Sequence, residues 1–195
     1  MTAPPRLVLF TRFPEPGRAK TRLIPAVGAE RAAPIHRQLT ERSVAAMRAS
    51  GLPFELRVTG AGPGAFRDWL GADLAIVDQG EGDLGERLTR AAANPPVILL
   101  GADTPDLTVR HLTRAADALR EREAVLGPAE DGGYWLLGIA RLMPFLFAEM
   151  PWSTERVATI TLERLAQRGI EPVVLDTLCD LDRPEDLRRW PDLVT

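Results

Sequence analysis

Short apolar runs alternate with stretches of helical periodicity along most of the chain. The runs of strand length are Leu7–Phe10, Phe54–Thr59, Leu74–Val77, Val97–Leu100, Ala124–Leu126, Tyr134–Ile139 and Pro172–Leu175. The helical patterns include Ala29–Ser50, Leu107–Arg120 and Thr154–Arg168, the last with Ser153 or Thr154 as its expected N-cap. This alternation is typical of an α/β domain with a largely parallel sheet. A chain of 195 residues suffices for one domain and is short for two. We therefore expect residues 1–195 to form a single three-layer α/β/α domain with a mostly parallel sheet.

Charge and composition exclude several classes of function. The net charge is −3 and the pI is near 5.5, which argues against general nucleic-acid binding, because that normally requires a basic face. No apolar run approaches the length of a membrane span, and the N-terminal residues lack the pattern of a signal peptide. The one cysteine, Cys179, fits a reducing compartment. We expect a cytoplasmic protein with no membrane partner.

The segment that follows the first apolar run is a cationic loop. Of the 24 basic residues, only Lys20 is a lysine, and it stands among Arg12, Arg18 and Arg22. Gly17 allows the backbone to approach a ligand closely. The segment lacks the spacing of a Walker A loop. The sequence predicts an anion site here, although basic residues in a loop are often only solvated.

Carboxylates stand where ligands of open α/β sheets bind, beyond the carboxyl ends of the strands. Asp103 follows the most continuous apolar strand, and Asp180 and Asp182 alternate, so that they point to one side of an extended segment. Hard divalent ions such as Mg²⁺ favour oxygen ligands together with substrate phosphates. These carboxylates are candidate metal ligands. Alternatively, Asp103 or Asp106 caps the following helix, and Asp180 or Asp182 caps a short helix over Pro184–Arg189.

Two glycine-containing loops are further candidates. Asp131, Gly132, Gly133 and Tyr134 form a predicted acceptor loop, because the glycines let the backbone lie against a substrate and Tyr134 is the only tyrosine. Turn chemistry alone also accounts for this segment.

The second loop, residues 79–88, joins a strand end to a helix and contains Gln79, Gly85 and Arg87. Its glycines permit close backbone approach, or they form an ordinary glycine-rich loop. His36 and His111 lie in helical patterns without a second His or Cys nearby, so we interpret them as structural. The same interpretation holds for Cys179, which has no accompanying His, and for Trp152.

Six motifs together resemble those of a bacterial family with the glycosyltransferase-A fold. Their sequences are FPEPGRAKTRL at 13–23, GDLGER at 82–87, GADTP at 101–105, GPAEDGGY at 127–134, WST at 152–154 and DLDRPEDL at 180–187. The family is known for arsenosugar-biosynthesis-type or radical-SAM-associated glycosyltransferases. It is related to small nucleotidyltransferases such as 2-phospholactate guanylyltransferase. The resemblance implies the nucleotide-diphospho-sugar transferase (GT-A-like) fold.

The resemblance also implies roles for the candidate residues. Lys20, with Arg12, holds nucleotide phosphates, and Asp103, Asp180 and Asp182 hold Mg²⁺ or Mn²⁺. The predicted nucleotide contacts are Arg12, Gly17, Lys20, Arg22, Gln79, Gly85 and Arg87, and the predicted catalytic residues are Lys20, Asp103 and Asp131.

Three functions follow from these roles. Glycosyl transfer from a nucleoside-diphosphate sugar to a small-molecule acceptor needs a general base, for which Asp131 is the candidate. Nucleotidyl transfer from an NTP to a phosphorylated or carboxylated substrate releases pyrophosphate and needs no such base. A non-enzymatic nucleotide sensor is the third alternative.

Overall fold

The apolar runs form one seven-stranded sheet in the computed structural model, which describes residues 3–193. The strands are β1 (Arg6–Arg12), β2 (Phe54–Thr59), β3 (Ile76–Asp78), β4 (Val97–Gly101), β5 (Ala124–Pro128), β6 (Tyr134–Ile139) and β7 (Val173–Val174). Their order across the sheet is β3-β2-β1-β4-β6-β5-β7. Strand β6 is antiparallel to both β4 and β5, and every other pair is parallel. The predicted mostly parallel sheet is confirmed, with β6 as the exception.

Helices cover both faces of the sheet. They are α1 (Ile24–Val27), α2 (Ala29–Ser50), α3 (Pro63–Leu70), α4 (Leu84–Ala91), α5 (Val109–Glu121) and α6 (Val157–Ala166), and 3₁₀ turns occupy Thr21–Leu23, Pro144–Leu146, Pro184–Arg189 and Pro191–Leu193. Helices α2, α3 and α5 pack on one face, and α4 and α6 pack on the other. The predicted three-layer α/β/α architecture is confirmed. Within residues 3–193, no helix is both long and apolar enough to cross a membrane.

The central strands are apolar on both sides because both faces of the sheet are covered. Leu7 and Leu9 of β1 belong to the core under α2 and α5, whereas Val8 between them belongs to the core under α4 and α6. Successive side chains of a strand point to opposite faces. The alternation explains why an unbroken apolar run, rather than an alternating one, predicts the centre of this sheet.

Two helices begin later than the sequence indicates. Helix α5 follows Thr108, whose backbone N–H donates to Nδ1 of His111, while Asp106 accepts a hydrogen bond from Trp190 instead of capping the helix. Helix α6 begins after Arg156, without a side-chain cap. The predicted caps for these helices, Asp106 and Ser153 or Thr154, are therefore wrong.

The short helix near the C-terminus does form, over the predicted residues Pro184–Arg189. Its N-cap position is Arg183 rather than Asp182. The carboxylate of Asp186 accepts hydrogen bonds from the backbone N–H groups of Asp182 and Arg183. The side chain of Asp182 is consequently available for contacts elsewhere.

Candidate functional site

A large open cavity lies at the carboxyl ends of β1 and β4. Strands β2 and β3 lie on one side of β1, whereas β4 and the later strands lie on the other. This is the point at which the order of an open α/β sheet reverses and where such sheets bind ligands. The cavity has a volume of about 1510 Å³, and its lining includes cations of residues 12–22, carboxylates of residues 103, 131, 180 and 182, and the rings of Tyr134 and Trp152.

Lys20 lies at the centre of the polar lining. Its backbone is in the left-handed region, with φ 49°, and its side chain is only 4% exposed. The ammonium donates to Oδ1 of Asp103 at 2.7 Å, Oδ1 of Asp182 at 2.9 Å and the carbonyl oxygen of Leu181 at 2.5 Å. Burial opposes the charge, but the two carboxylates outweigh it and raise the pKa of Lys20. Lys20 is thus a fixed cation that joins the first loop to the C-terminal segment.

Asp103 is anchored from both sides of the cavity. It follows β4 by two residues, and its carbonyl oxygen accepts a hydrogen bond from the backbone N–H of Leu181 at 2.8 Å. Burial alone would raise the pKa of the Asp103 carboxyl, but Lys20 lowers it, with a smaller contribution from His36. Asp103 is therefore ionised at neutral pH, and it stands beside the C-terminal carboxylates as predicted from its strand end.

Asp180 forms no ion pair with any residue between 3 and 193. Its Oδ1 accepts a hydrogen bond from the hydroxyl of Thr104 at 2.5 Å. Burial, reinforced by the charges of Asp103 and Asp131, raises its pKa to about 7. Asp182, by contrast, is paired with both Lys20 and Arg22. The negative charge of the cavity is in excess around Asp180, which is where a further cation is most favourable.

The predicted metal ligands fit an ion held jointly with substrate. Within residues 3–193, no three side chains of His, Cys, Asp or Glu form a ready-made metal site. Mg²⁺ is usually bound by one or two carboxylates together with substrate phosphates rather than by an all-protein cage. Asp103 and Asp180 provide two such carboxylates, and Asp180 has no cationic partner among the described residues. The donor set therefore suits a metal that enters with phosphates.

His36 of α2 is a site residue that the sequence interpretation assigned only to structure. Its Nε2 lies 3.0 Å from the carbonyl oxygen of Arg12 and 3.3 Å from the hydroxyl of Thr11. A carbonyl only accepts, so Nε2 carries the proton and Nδ1 is left as an acceptor. Burial lowers the pKa of His36, so the ring is neutral at pH 7. His36 shares the buried face of α2 with the polar residues Thr40 and Ser43, so no sequence pattern singles it out.

The other predicted cations of the first loop remain open to solvent. Arg12 and Arg22 both line the cavity. Arg12 makes one long hydrogen bond, to the carbonyl of Arg18 at 3.3 Å, and Arg22 pairs with Asp182 at 3.3 Å. Gly17 lies in the same loop with φ 79° but does not line the cavity. The loop therefore presents guanidinium groups, rather than the backbone at Gly17, to a ligand.

Residues 79–88 form the wall on the side of α4. Gln79 is buried and donates to the carbonyl oxygens of Thr11 and Arg57, while its Oε1 accepts from Arg87 at 3.3 Å. Arg87 lines the cavity, and its buried Nε has no hydrogen-bond partner in the described residues. Gly85 does not line the cavity. A Cβ there would lie 2.6 Å from the carbonyl oxygen of Phe147, so this glycine serves close packing.

The predicted acceptor loop closes the opposite wall. It connects β5 to β6, and Asp131 Oδ1 accepts a hydrogen bond from the backbone N–H of Gly133 at 2.8 Å. Gly132 has φ 86° and packs directly against the backbone of Glu155. The ring of Tyr134 meets that of Trp152 edge to face, with centroids 6.5 Å apart. The structure thus brings the predicted loop residues to the cavity and adds Trp152, which the sequence interpretation assigned to packing.

Solved structures with the same fold include several transferases. A protein from Desulfovibrio desulfuricans G20, provisionally named a nucleotide-diphospho-sugar transferase, superposes with a TM-score of 0.90 at 26% identity, over 98% of this chain and 88% of that chain. The CMP:2-keto-3-deoxy-manno-octonic acid synthetase, solved with CTP, gives 0.55 at 13% identity, over 97% and 98%. Rv0371c from Mycobacterium tuberculosis H37Rv, solved with manganese, gives 0.56 at 19%, over 100% and 99%. The last two likenesses show the shared fold alone.

Comparison at the level of sequence identifies the family. No protein of curated function matches the chain. A family model matches residues 42–154, which is more than half of the chain and includes β2 to β6, Asp103 and the predicted acceptor loop. The chain belongs to the bacterial family described as "Uncharacterized protein conserved in bacteria (DUF2064)".

Proposed function

We propose that this chain is a nucleotide-dependent transferase that moves a glycosyl group from a nucleoside-diphosphate sugar to a small-molecule acceptor. The proposal rests on the distribution of charge in the cavity. Cations of residues 12–22 face Asp103 and Asp180 at the point where the strand order of the sheet reverses. A diphosphate needs such cations, and a metal bound to it needs such carboxylates. The name of the Desulfovibrio protein agrees with this substrate class.

The donor diphosphate lies, in this proposal, between the first loop and α4. Arg12 and Arg22 bind its oxygens, because both guanidinium groups are exposed. Arg12 forms no ion pair within the described residues, and Arg22 pairs with Asp182 only at 3.3 Å, which leaves donors of both for the phosphates. The charge of Lys20 adds to the positive field around the leaving diphosphate. Arg87 and Gln79 form the wall against the nucleoside, held to each other by a hydrogen bond. These groups stabilise the negative charge that develops as the diphosphate departs.

The divalent metal, Mg²⁺ or Mn²⁺, belongs to Asp103 and Asp180 in the same proposal. When bound, the ion supplies Lewis-acid chemistry to the leaving diphosphate. The chain's own part is to hold the carboxylates of Asp103, at the end of β4, and Asp180, in the C-terminal segment, on one side of the cavity. Thr104 orients Asp180 through its hydroxyl, and Lys20 orients Asp103. Asp182 is the third predicted ligand, but it is already paired with Lys20 and Arg22.

The acceptor lies against the loop of Asp131. One oxygen of this carboxylate is held by the N–H of Gly133, and the other is free to take the proton of an acceptor hydroxyl. The new bond forms between the oxygen of the acceptor hydroxyl and the anomeric carbon of the donor, while the bond from this carbon to the diphosphate oxygen breaks. Tyr134 and Trp152 give the acceptor an aromatic wall.

Nucleotidyl transfer is the second candidate, and one observation favours it. Arg156 lines the cavity and forms no ion pair with any residue of the described chain. A free guanidinium on the acceptor side suits a phosphorylated or carboxylated acceptor, which would attack the α-phosphorus of an NTP and release pyrophosphate.

Product analysis separates the two candidates. Purified protein is incubated with nucleoside-diphosphate sugars or NTPs, with Mg²⁺ or Mn²⁺ and a panel of acceptors, and the products are separated by chromatography. Release of a nucleoside diphosphate supports glycosyl transfer, whereas release of pyrophosphate supports the second candidate. Asp131→Asn should abolish glycosyl transfer, and Asp106→Asn is its matched control because Asp106 lies outside the cavity, bonded to Trp190. The narrower arsenosugar-biosynthesis resemblance stays a prediction, and the same assay tests it with the corresponding acceptors.

Failure of every donor to bind, measured by calorimetry with and without metal, would contradict both candidates. The same result would also exclude a non-enzymatic nucleotide sensor, because that alternative requires nucleotide binding as well.

A further inference from the structure

The ammonium of Lys20 has no hydrogen left for a ligand. A lysine ammonium carries three N–H donors. In this structure they meet three acceptors, namely Oδ1 of Asp103, Oδ1 of Asp182 and the carbonyl oxygen of Leu181, all within 2.9 Å. A phosphate oxygen can replace one of these bonds only if a half-buried carboxylate loses its bond to the ammonium or the carbonyl of Leu181 loses its donor, and that loss is costly. The geometry therefore favours retention of all three bonds.

The chain fixes this arrangement from both ends. On the side of Lys20, a left-handed backbone with φ 49° precedes the 3₁₀ turn, in which the N–H of Leu23 donates to the Lys20 carbonyl at 2.9 Å. On the other side, Leu181 is tied to Asp103 through a backbone hydrogen bond of 2.8 Å. A left-handed conformation is unfavourable for residues other than glycine and persists only where its surroundings hold it.

We propose that Lys20 is a positioning residue: it is the resident counter-cation of Asp103 and Asp182, while phosphate contact falls to arginines such as Arg12 and Arg22. By holding a positive charge between two carboxylates, Lys20 reduces the attraction of the cavity for a free divalent ion. The metal consequently binds well only together with the phosphates. This inference rests on the proposed function for the presence of a metal and a donor, but not for the contacts of Lys20.

Metal binding without nucleotide tests the proposal. Mn²⁺ alone is titrated into wild-type protein and into Lys20→Met, and free Mn²⁺ is measured by electron paramagnetic resonance. Loss of the buried charge releases two carboxylates, so Lys20→Met should bind Mn²⁺ about tenfold more tightly or better. Arg22→Met is the matched control, since Arg22 also pairs with Asp182 but is 58% exposed. Its effect should stay below about threefold because solvent screens it.

The double variant Lys20→Met/Asp182→Asn makes the test specific. If the gain comes from the released carboxylates, removal of one of them should return Mn²⁺ affinity towards the wild-type value. Unchanged or weaker Mn²⁺ binding in Lys20→Met would overturn the proposal, because a merely structural lysine predicts that result. Tighter Mn²⁺ binding with no nucleotide binding in any variant would instead refute the proposed function and leave this inference standing.

A measurement on the folded wild-type chain covers the case in which Lys20→Met does not fold. Lys20 is the only lysine, so labelling lysine with ¹⁵N gives a single side-chain Nζ signal. Three hydrogen bonds and burial should slow proton exchange enough for that signal to be visible at neutral pH, and Asp182→Asn should shift it. An Nζ that exchanges as fast as free lysine would overturn the proposal.

Discussion

The imidazole of His36 faces the carboxylate of Asp103, with Nδ1 of the ring 3.8 Å from Oδ1 of the acid. The proton of the neutral ring resides on Nε2, which donates to the carbonyl of Arg12. Both facing atoms are therefore acceptors. A hydrogen-bond donor or a cation between Nδ1 of His36 and Oδ1 of Asp103 would interact favourably with both atoms. His36 therefore lies beside the carboxylates of the cavity as well as at the end of β1.

The two nitrogens of His36 can be tested separately. His36→Leu removes both and leaves the carbonyl of Arg12 with only the long 3.4 Å hydrogen bond from the hydroxyl of Thr11. We therefore expect the free energy of unfolding to fall by about 1–3 kcal/mol. In His36→Gln the amide N–H₂ stands in for Nε2, so the loss should be less than about half as large. Urea unfolding of both variants measures this difference. Equal losses would show that the hydrogen bond to Arg12 contributes little.

The raised pKa of Asp180 predicts a dependence of stability on pH. Burial sets this pKa at about 7, against 3.8 for an ordinary Asp. Between these values the folded state binds a proton that the unfolded state has released, so stability should fall as pH rises from about 4 to 7 in the absence of metal. The amide in Asp180→Asn cannot titrate, so this variant should not show that loss of stability. The expected difference in the free energy of unfolding is roughly 2–4 kcal/mol between pH 4 and pH 7.

Urea titrations at constant ionic strength, with and without Asp180→Asn, measure the difference between the two slopes. The lowered pKa of His36 acts in the opposite direction, since protonation of the ring below its unfolded pKa reduces stability as pH falls. That contribution is common to both proteins and cancels in the comparison. Parallel curves would mean that Asp180 is ionised over the whole range.

Gly132 and Gly133 should differ sharply in their tolerance of alanine. Gly132 has φ 86°, and a Cβ there would collide with the backbone of Glu155, so Gly132→Ala should cost more than about 2 kcal/mol. At Gly133 a Cβ would meet only the side chain of Asp131, at 3.0 Å. Gly133→Ala is therefore the control and should be mild. Thermal or urea unfolding checks both, and a stable Gly132→Ala would contradict the packing of this loop.

Local sequence predicted the sheet well because strands that are buried on both faces consist of uninterrupted apolar runs. Runs such as Val97–Leu100 and Tyr134–Ile139 are apolar without interruption, and each became a strand at nearly the predicted boundaries. Helix starts were less predictable. Thr154 resembles a cap, yet its hydroxyl donates to the carbonyl of Pro151 and the helix begins after Arg156. Tertiary contacts in that loop override the local capping signal.

Most residues that the sequence proposed for the site line the cavity, Gly17 and Gly85 excepted, but their contacts were not predictable. A strand end identified Asp103, since parallel strands gather their carboxyl ends at one edge. The two glycines and the only tyrosine identified the loop of Asp131. The partners of Lys20 lie up to 162 residues away along the chain, and no local pattern shows that its ammonium sits between two carboxylates. His36 was missed for the same reason, because helical periodicity does not reveal that this face of α2 meets the end of β1.

Arg87 and Arg90 lie one turn apart on α4 and should separate ligand binding from stability. Arg87 lines the cavity, and one of its buried nitrogens is unpartnered within the described chain. Arg90 instead donates to the carbonyls of Gln79, at 2.9 Å, and Glu81. We expect Arg87→Met to weaken binding of a nucleoside-diphosphate sugar about tenfold or more, because a charge-assisted contact is lost.

Arg90→Met should retain that affinity and lose stability instead, since two loop carbonyls lose their donor. Calorimetric titration of the donor and urea unfolding, applied to both variants, distinguish the two roles. An equal loss of affinity in both would mean that α4 acts on the ligand only by holding residues 79–83 in place. If neither variant lost affinity, the nucleoside would have to lie elsewhere along the cavity, towards the first loop, because Arg87 is the only cation of α4 that lines it within the described residues.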